Sequence, residues 1–300
     1  MVKTLIDRFE YPRRGPGMMW ERVMEIVEEG DGLVHLEQEV VRINWSSEGV
    51  ESVETSSSGG PRVFAGTDFI SSMPFRELVQ RLSPAAPPEV LRAANSLKYR
   101  DFLTVALIIG KRELFEDNWI YIHDAGVKVG RIQNFKNWSP EMVPDPEKTC
   151  LGLEYFCFEG DGLWTMPDAE LLELGAQELD KLGLVNAADV EDGTVVRMPK
   201  AYPIYDGGYR EALSTLRQFL GRLPNLQVVG RNGMHRYNNQ DHAMATAMLA
   251  VENILGGNYD LWNVNVDQSY HEELSDEEVG GLAEFKDLAS TQPRVPERIE

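Results

Sequence analysis

The sequence predicts a mixed fold, α/β to α+β, and three observations carry that prediction. Helical and strand periodicities alternate through most of the 300 residues, with no internal repeat. One run, FLTVALIIG at 102–110, is almost wholly apolar and reads as a strand covered on both faces. Near the other end, a short apolar strand at 226–229 meets a glycine, then a polar run, then a nearly uncharged helix at 243–255.

Taken in order, residues 16–30 have apolar positions at helical spacing, a proline suited to the first turn and Gly30 as a stop. Residues 33–36 and 40–45 alternate as strands, and 50–55 with 62–64 flank a Ser/Gly turn as a hairpin. A strand at 68–73 ends at Pro74, which opens a helix to about 82. The proline-rich stretch 82–88 is a rigid link to a helix at 88–97. The strand at 102–110 has expected neighbours at 119–123 and 129–134, and 150–158 is a further strand rich in aromatics. A helix at 168–181, a strand at 195–201, a helix at 209–220 and the strand at 226–229 follow. The last helix stops at Gly256-Gly257.

Composition narrows the function. Apolar residues make up 42%, with 6 Trp, 10 Tyr and 11 Phe, an ordinary globular content. No apolar run reaches the roughly 20 residues of a membrane span. The first 15 residues carry arginines and no long apolar stretch, so they do not form a secretory signal, and the expected compartment is cytoplasmic. Cys150 and Cys157 are too few for a disulfide framework or a zinc site, and are expected as buried thiols. Lys and Arg total 29 against 49 Asp and Glu, a formal charge of −20, which argues against nucleic acid. That acidity fits either a salt-rich cytoplasm or simple solubility. It is concentrated at 25–39, 141–192 and 272–300, mostly as solvated faces.

The densest chemistry lies at 230–242, GRNGMHRYNNQDH. Gly230 and Gly233 allow positive φ or close approach of a ligand. The helix that follows presents free N–H groups and a partial positive charge, which suit a phosphate. A plainer reading makes Asp241 a cap, with no ligand. His235 and His242 have no third partner at metal spacing, and no nucleophile elbow is present.

This run resembles the C-terminal flavin-contact motif of the FAD-dependent amine oxidase, protoporphyrinogen oxidase and phytoene desaturase superfamily, and within it a UDP-galactopyranose mutase-like subgroup. The resemblance implies FAD as cofactor. It sets Gly230 and Arg231 by the pyrophosphate or ribityl chain and counts Gly233 among the cofactor-binding residues. Tyr237, Asn239, Asp241, His242, Ala243 and Met244 would approach the isoalloxazine. The segment PRRGPGMMW at 12–20 resembles the family's segment before a helix. Val41, in VVRI, resembles the strand bracketing the adenine, and Pro74, in ISSMP, the strand end near the flavin.

The superfamily also begins with a glycine-fingerprint βαβ unit, and G-x-G-x-x-G is not found in these 300 residues. The expectation is therefore an incomplete FAD/NAD(P)-binding domain at 1–97 and 203–272, a mixed-sheet substrate domain inserted at 98–202, and an acidic tail at 273–300. A truncated product, or a second chain supplying the dinucleotide-binding segment, accounts for the difference.

A mutase-like enzyme takes a nucleotide sugar, whose diphosphate needs neutralising; arginine and tyrosine suit that role. Arg100, Arg131, Tyr121, Tyr202 and Tyr205 are the candidates. For Arg131 the competing role is pairing with a carboxylate, and for Tyr202 edge packing. Amine oxidase, protoporphyrinogen oxidase or desaturase chemistry, and a non-catalytic subunit derived from a flavoenzyme, remain alternatives. No catalytic residue is assigned.

Overall fold

In a computed structural model of the chain, the described residues are 10–265. The acidic tail expected at 273–300 lies outside them. Helix α1 (Gly17–Glu29) is amphipathic, yet it buries no residue, and Trp20 and Ile26 stay 45% and 53% exposed. Strands β1 (Glu39–Ser46), β2 (Gly49–Ser56) and β3 (Arg62–Ala65) form an antiparallel meander. Then come β4 (Phe69–Ser71), α2 (Phe75–Gln80), β5 (Leu82–Ser83), which pairs in parallel with β1, and α3 (Pro88–Ser96). Pro74 and Pro87 sit at the N-caps of α2 and α3, where a missing N–H costs nothing.

Residues 98–204 build a five-stranded antiparallel sheet in the order β10-β6-β9-β8-β7. Its strands are β6 (Lys98–Ile109), β7 (Trp119–Tyr121), β8 (Arg131–Asn134), β9 (Thr149–Cys157) and β10 (Val190–Ile204). The short helix α4 (Phe135–Trp138) follows β8, and α5 (Asp168–Lys181) joins β9 to β10. Period-2 alternation gives the sheet two unlike faces. Leu103, Val105, Leu107, Ile132, Leu151, Leu153 and Tyr155 form a core with Leu171 and Leu179 of α5. Gly175 lets α5 approach closely: a Cβ there would lie 3.3 Å from Val105, Leu107 and Leu153 side chains. Full burial of each such leucine contributes about 1.5–3 kcal/mol. Glu178, also buried, accepts hydrogen bonds from Lys128 N (2.6 Å), Val129 N (3.0 Å) and the Tyr155 hydroxyl (3.0 Å).

The chain then returns through α6 (Tyr209–Leu220), β11 (Leu226–Val228), α7 (Gly230–Gly233) and α8 (Gln240–Ile254). β11 pairs in parallel with β4. One core takes residues from both sides of the sheet segment, with Phe75, Leu78, Leu97 and Tyr99 meeting Leu216, Phe219 and Val228.

Several elements differ from expectation. Residues 33–36 are not a strand; Leu33 and Leu36 are 81% and 71% exposed, so alternation without a partner strand does not make one. The helix after Pro74 ends at Gln80, because Leu82–Ser83 pairs with β1. β10 is far longer than 195–201, since β6 offers partners along its whole length. The 102–110 strand is covered chiefly on one face; its other face carries half-buried residues. Cys157 is buried, but Cys150 lies on that second face and is only partly so; burial pushes both thiols up to about 11.

Candidate functional site

The second face of the sheet collects Arg100, Arg131, Tyr121 and Tyr202 of the predicted substrate-side residues, while Tyr205 lies just beyond β10. Cross-strand register sets Tyr121 beside Arg131, Arg131 beside Glu154, Phe102 beside Phe156, and Tyr202 beside Arg100. Arg131 donates to the Tyr202 hydroxyl (3.0 Å) and pairs with Glu154, which is 4% exposed. Its guanidinium carbon lies 4.8 Å from the Phe156 ring centre and 5.1 Å from that of Trp119. Burial acts to lower the Arg131 pKa, but the Tyr202 hydrogen bond and Glu154 outweigh it and the value is raised. The carboxylate pairing weighed for Arg131 is thus present, and much of its charge is already met. Arg100 instead lies over Phe156 and Phe158, at 5.6 and 5.4 Å, with no ion pair among the described residues.

Tyr202 reaches its place through a bulge in β10. The register skips between Met198 and Tyr202, and Lys200 takes φ +54°. Buried Asp101 pins the bulge by accepting from Lys200 N (2.5 Å) and Glu159 N (2.6 Å).

The 230–242 run folds as a strand end, one helical turn and a capped helix. Gly230 has φ +77°, the conformation that favours glycine. Its N–H donates to Thr246 Oγ1 (3.0 Å) and its carbonyl accepts from Asn238 (3.3 Å). Gly233 packs on the end of β4: a Cβ there would come 2.7 Å from the Ser71 carbonyl oxygen. At the N-terminus of α8 the cap is Asn239, in a reciprocal box with His242, whereas Asp241 lies in the first turn. The box satisfies one of the first-turn amides and Asp241 adds negative charge, so this helix start is a poorer anion cradle than its sequence suggests.

Arg231 joins the two regions. It donates to the carbonyls of Asn238 (2.7 Å) and, across the boundary, Ala201 (3.1 Å). Its guanidinium lies 5.1 Å from the Tyr202 ring and 4.8 Å from the Tyr237 ring, and those rings stack 5.4 Å apart. Tyr205 adds a second tie, its hydroxyl accepting from Tyr237 N at 2.6 Å. Its pKa is raised, chiefly by burial. His235 is fully buried, edge-on to Tyr99 at 4.9 Å, and burial holds its pKa down to about 4.

A cleft of about 1760 Å³ runs along this junction. Tyr121, Arg131, Tyr205, Tyr237, Asn239 and His242 line it, with Phe75, Arg210, Arg217, His235, Arg236 and Trp262. Arg100, Tyr202, Arg231, Asp241, Ala243 and Met244 are not on its wall. Neither are Pro74, which caps α2, and Val41, 43% exposed on β1. Sequence reading missed Arg210, Arg217 and Trp262. The first two share a face of α6 at i and i+7, a spacing legible in advance, but their convergence with residue 262 is tertiary.

No group of His, Cys, Asp and Glu suited to a metal occurs among the described residues. No described helix is long and apolar enough to cross a membrane.

A parallel strand pair ending in a glycine turn, a helix behind it and an aromatic sheet across a cleft make up a mixed α/β fold of the flavin oxidoreductase type. The chain belongs to the family of flavin containing amine oxidoreductases, whose sequence profile matches residues 7–255. Among solved structures it is similar to a reduced UDP-galactopyranose mutase, with 19% identity and a TM-score of 0.70 over 85% of this chain and 55% of the other. A candidate protoporphyrinogen oxidase from Exiguobacterium sp. 255-15 aligns at 19% identity and TM-score 0.59, over 80% and 51%. The PF1083 protein from Pyrococcus furiosus aligns at 16% and 0.53, over 83% and 55%. The chain thus spans about half the length of these structures. No curated protein matches its sequence.

Family membership implies a flavin cofactor. The residues present fit part of such a group. The buried Asn232 Oδ1 and His235 Nδ1, both in the glycine-turn segment, have no hydrogen-bond partner among the described residues. Buried polar atoms of that kind are costly unless a ligand or water meets them.

Proposed function

We propose that the chain forms the substrate side and C-terminal cofactor side of an FAD-dependent, mutase-like enzyme acting on a nucleotide sugar. One observation carries this reading: Arg231, stacked with Tyr202 and Tyr237, fastens the aromatic sheet face to the glycine-turn motif behind a cleft whose wall includes Tyr237 and Arg131. The flavin supplies the electron chemistry when bound. In this reading, Tyr237 donates to the substrate diphosphate, Arg131 opposes its charge and Tyr121 flanks the organic part, while Tyr202 and Trp119 behind the wall hold Arg131 in place. Asn239 and His242 hold the end of α8 against the flavin. The likeness to the mutase structure supports the substrate class, and the arginine- and tyrosine-rich wall supports an anionic substrate.

The test is to purify the chain, record visible flavin absorbance, and assay turnover of UDP-galactopyranose with the flavin reduced. Flavin retention with turnover supports the proposal. Flavin retention with oxidation of amines or porphyrinogens, and no sugar turnover, overturns the substrate assignment.

A second reading draws on two observations: α1 buries none of its residues, and β4–β11 is, among the described residues, a parallel pair of two strands. Parallel sheets are ordinarily larger and covered. In this reading a second chain bearing a dinucleotide-binding unit completes the site, and this chain acts as a cytoplasmic subunit. A colourless chain that becomes yellow only on co-expression with such a unit supports it.

A further inference from the structure

The arginines at the α6 end of the cleft differ from those on the sheet. Arg217 lies on the Trp262 ring, its guanidinium carbon 4.2 Å from the ring centre, and Arg236 donates to the Trp262 carbonyl at 2.5 Å. The two cations therefore converge on one residue. Arg210, two turns earlier on the same face of α6, lines the cleft beside them with Ser214 and Gln218.

No Arg210, Arg217 or Arg236 ion pair occurs among the described residues, although the chain holds 49 acidic against 29 basic side chains. The charged residues lining the cleft are four arginines, with no Asp or Glu. Burial lowers the Arg236 pKa and nearby Arg217 lowers it further, while Asp260 and two tyrosines act the other way. Arg217 is exposed and Arg236 half-buried, and two guanidinium groups brought together beside one residue repel each other unless an anion lies between them.

We infer that Arg217 and Arg236, with Arg210 at the rim, form a diphosphate-binding subsite at the α6 end of the cleft, separate from the Arg231–Tyr202–Tyr237 junction. Guanidinium groups match phosphate oxygens in bidentate fashion, and Ser214 and Gln218 add neutral donors. This inference is independent of the flavin reading, because a diphosphate can bind there whether or not flavin does.

The experiment titrates the full chain with inorganic pyrophosphate by calorimetry, alongside Arg217→Gln, Arg217→Lys, Arg210→Gln and the control Arg222→Gln. Arg222 is exposed just beyond α6 and is not on the cleft wall, so its substitution removes the same charge without touching the subsite. Thermal melts establish that each variant is folded. Arg217→Gln is expected to weaken binding about tenfold, the order of one charge-assisted contact. Arg217→Lys recovers part of that loss, Arg210→Gln loses less, and Arg222→Gln stays within about twofold. Competition by UDP or by FAD that is lost in Arg217→Gln supports the subsite and names the source of its diphosphate. Equal weakening by Arg222→Gln overturns the inference in favour of general charge attraction. So does undiminished binding by a folded Arg217→Gln, or no pyrophosphate binding at millimolar concentration by the unsubstituted chain.

Discussion

Buried His235 makes a quantitative prediction about pH. Its imidazole is fully enclosed beside Tyr99, in contact with the Ile204 carbonyl at 3.4 Å, and burial holds its pKa at about 4 against an ordinary 6.5. The folded state therefore binds a proton less readily than the unfolded chain. Stability from this group is complete above the unfolded value and is lost as pH falls through 6.5 towards 4. Each pKa unit corresponds to about 1.4 kcal/mol, so falling from pH 7 to 4.5 costs about 2 kcal/mol through His235 alone. His235→Phe keeps a ring but removes the titration. Urea unfolding of both proteins at the two pH values isolates the term, because carboxylate contributions cancel in the double difference. The native protein is expected to lose about 2 kcal/mol more than the variant on acidification. Equal losses would refute the assignment of a buried neutral imidazole.

Three further outcomes follow from the packing. Gly233→Ala forces a methyl group against the Ser71 carbonyl and is expected to destabilise by about 1–3 kcal/mol, read as a lowered melting temperature. Arg231→Leu removes the bonds to Ala201 and Asn238 and is expected to cost about 2 kcal/mol, with faster proteolysis between 198 and 209; an unchanged digestion pattern contradicts a latch at that boundary. Glu178→Gln replaces an acceptor of three hydrogen bonds by a group that also donates. A loss of about 1–3 kcal/mol in denaturant stability is expected, with faster amide exchange at Lys128 and Val129.

The long periodic elements were legible in the sequence, for physical reasons. α5 is patterned strongly enough that one assignment satisfies every position, whereas β6 opens at Lys98, four residues before its apolar run, and alternates in burial rather than being covered on both faces. The bounds of Tyr209–Leu220 are legible because Ala212, Leu216, Phe219 and Leu220 make a helical stripe and Gly221 stops it. Short strands were less clear. Residues 33–36 alternate like 40–45, but only the latter find a partner strand. At the cleft, the density of glycine and amide side chains at 230–242 marked the region. The sequence could not reveal that these groups largely satisfy one another, Gly230 with Thr246 and Asn238, and Asn239 with His242. Nor could it foretell that Glu154, on a strand unremarkable for its charge, would take up Arg131.

The register of the outer strands bears on how such a protein diversifies. Lys98 and Ile204, which open β6 and close β10, are direct partners, so the whole five-stranded segment leaves and rejoins the chain at neighbouring points. A segment anchored that way can be exchanged for another of different length with little disturbance to the remainder. The aromatic sheet face is then free to change between relatives while the glycine turn and its supporting helices persist, so the two regions can diverge at different rates.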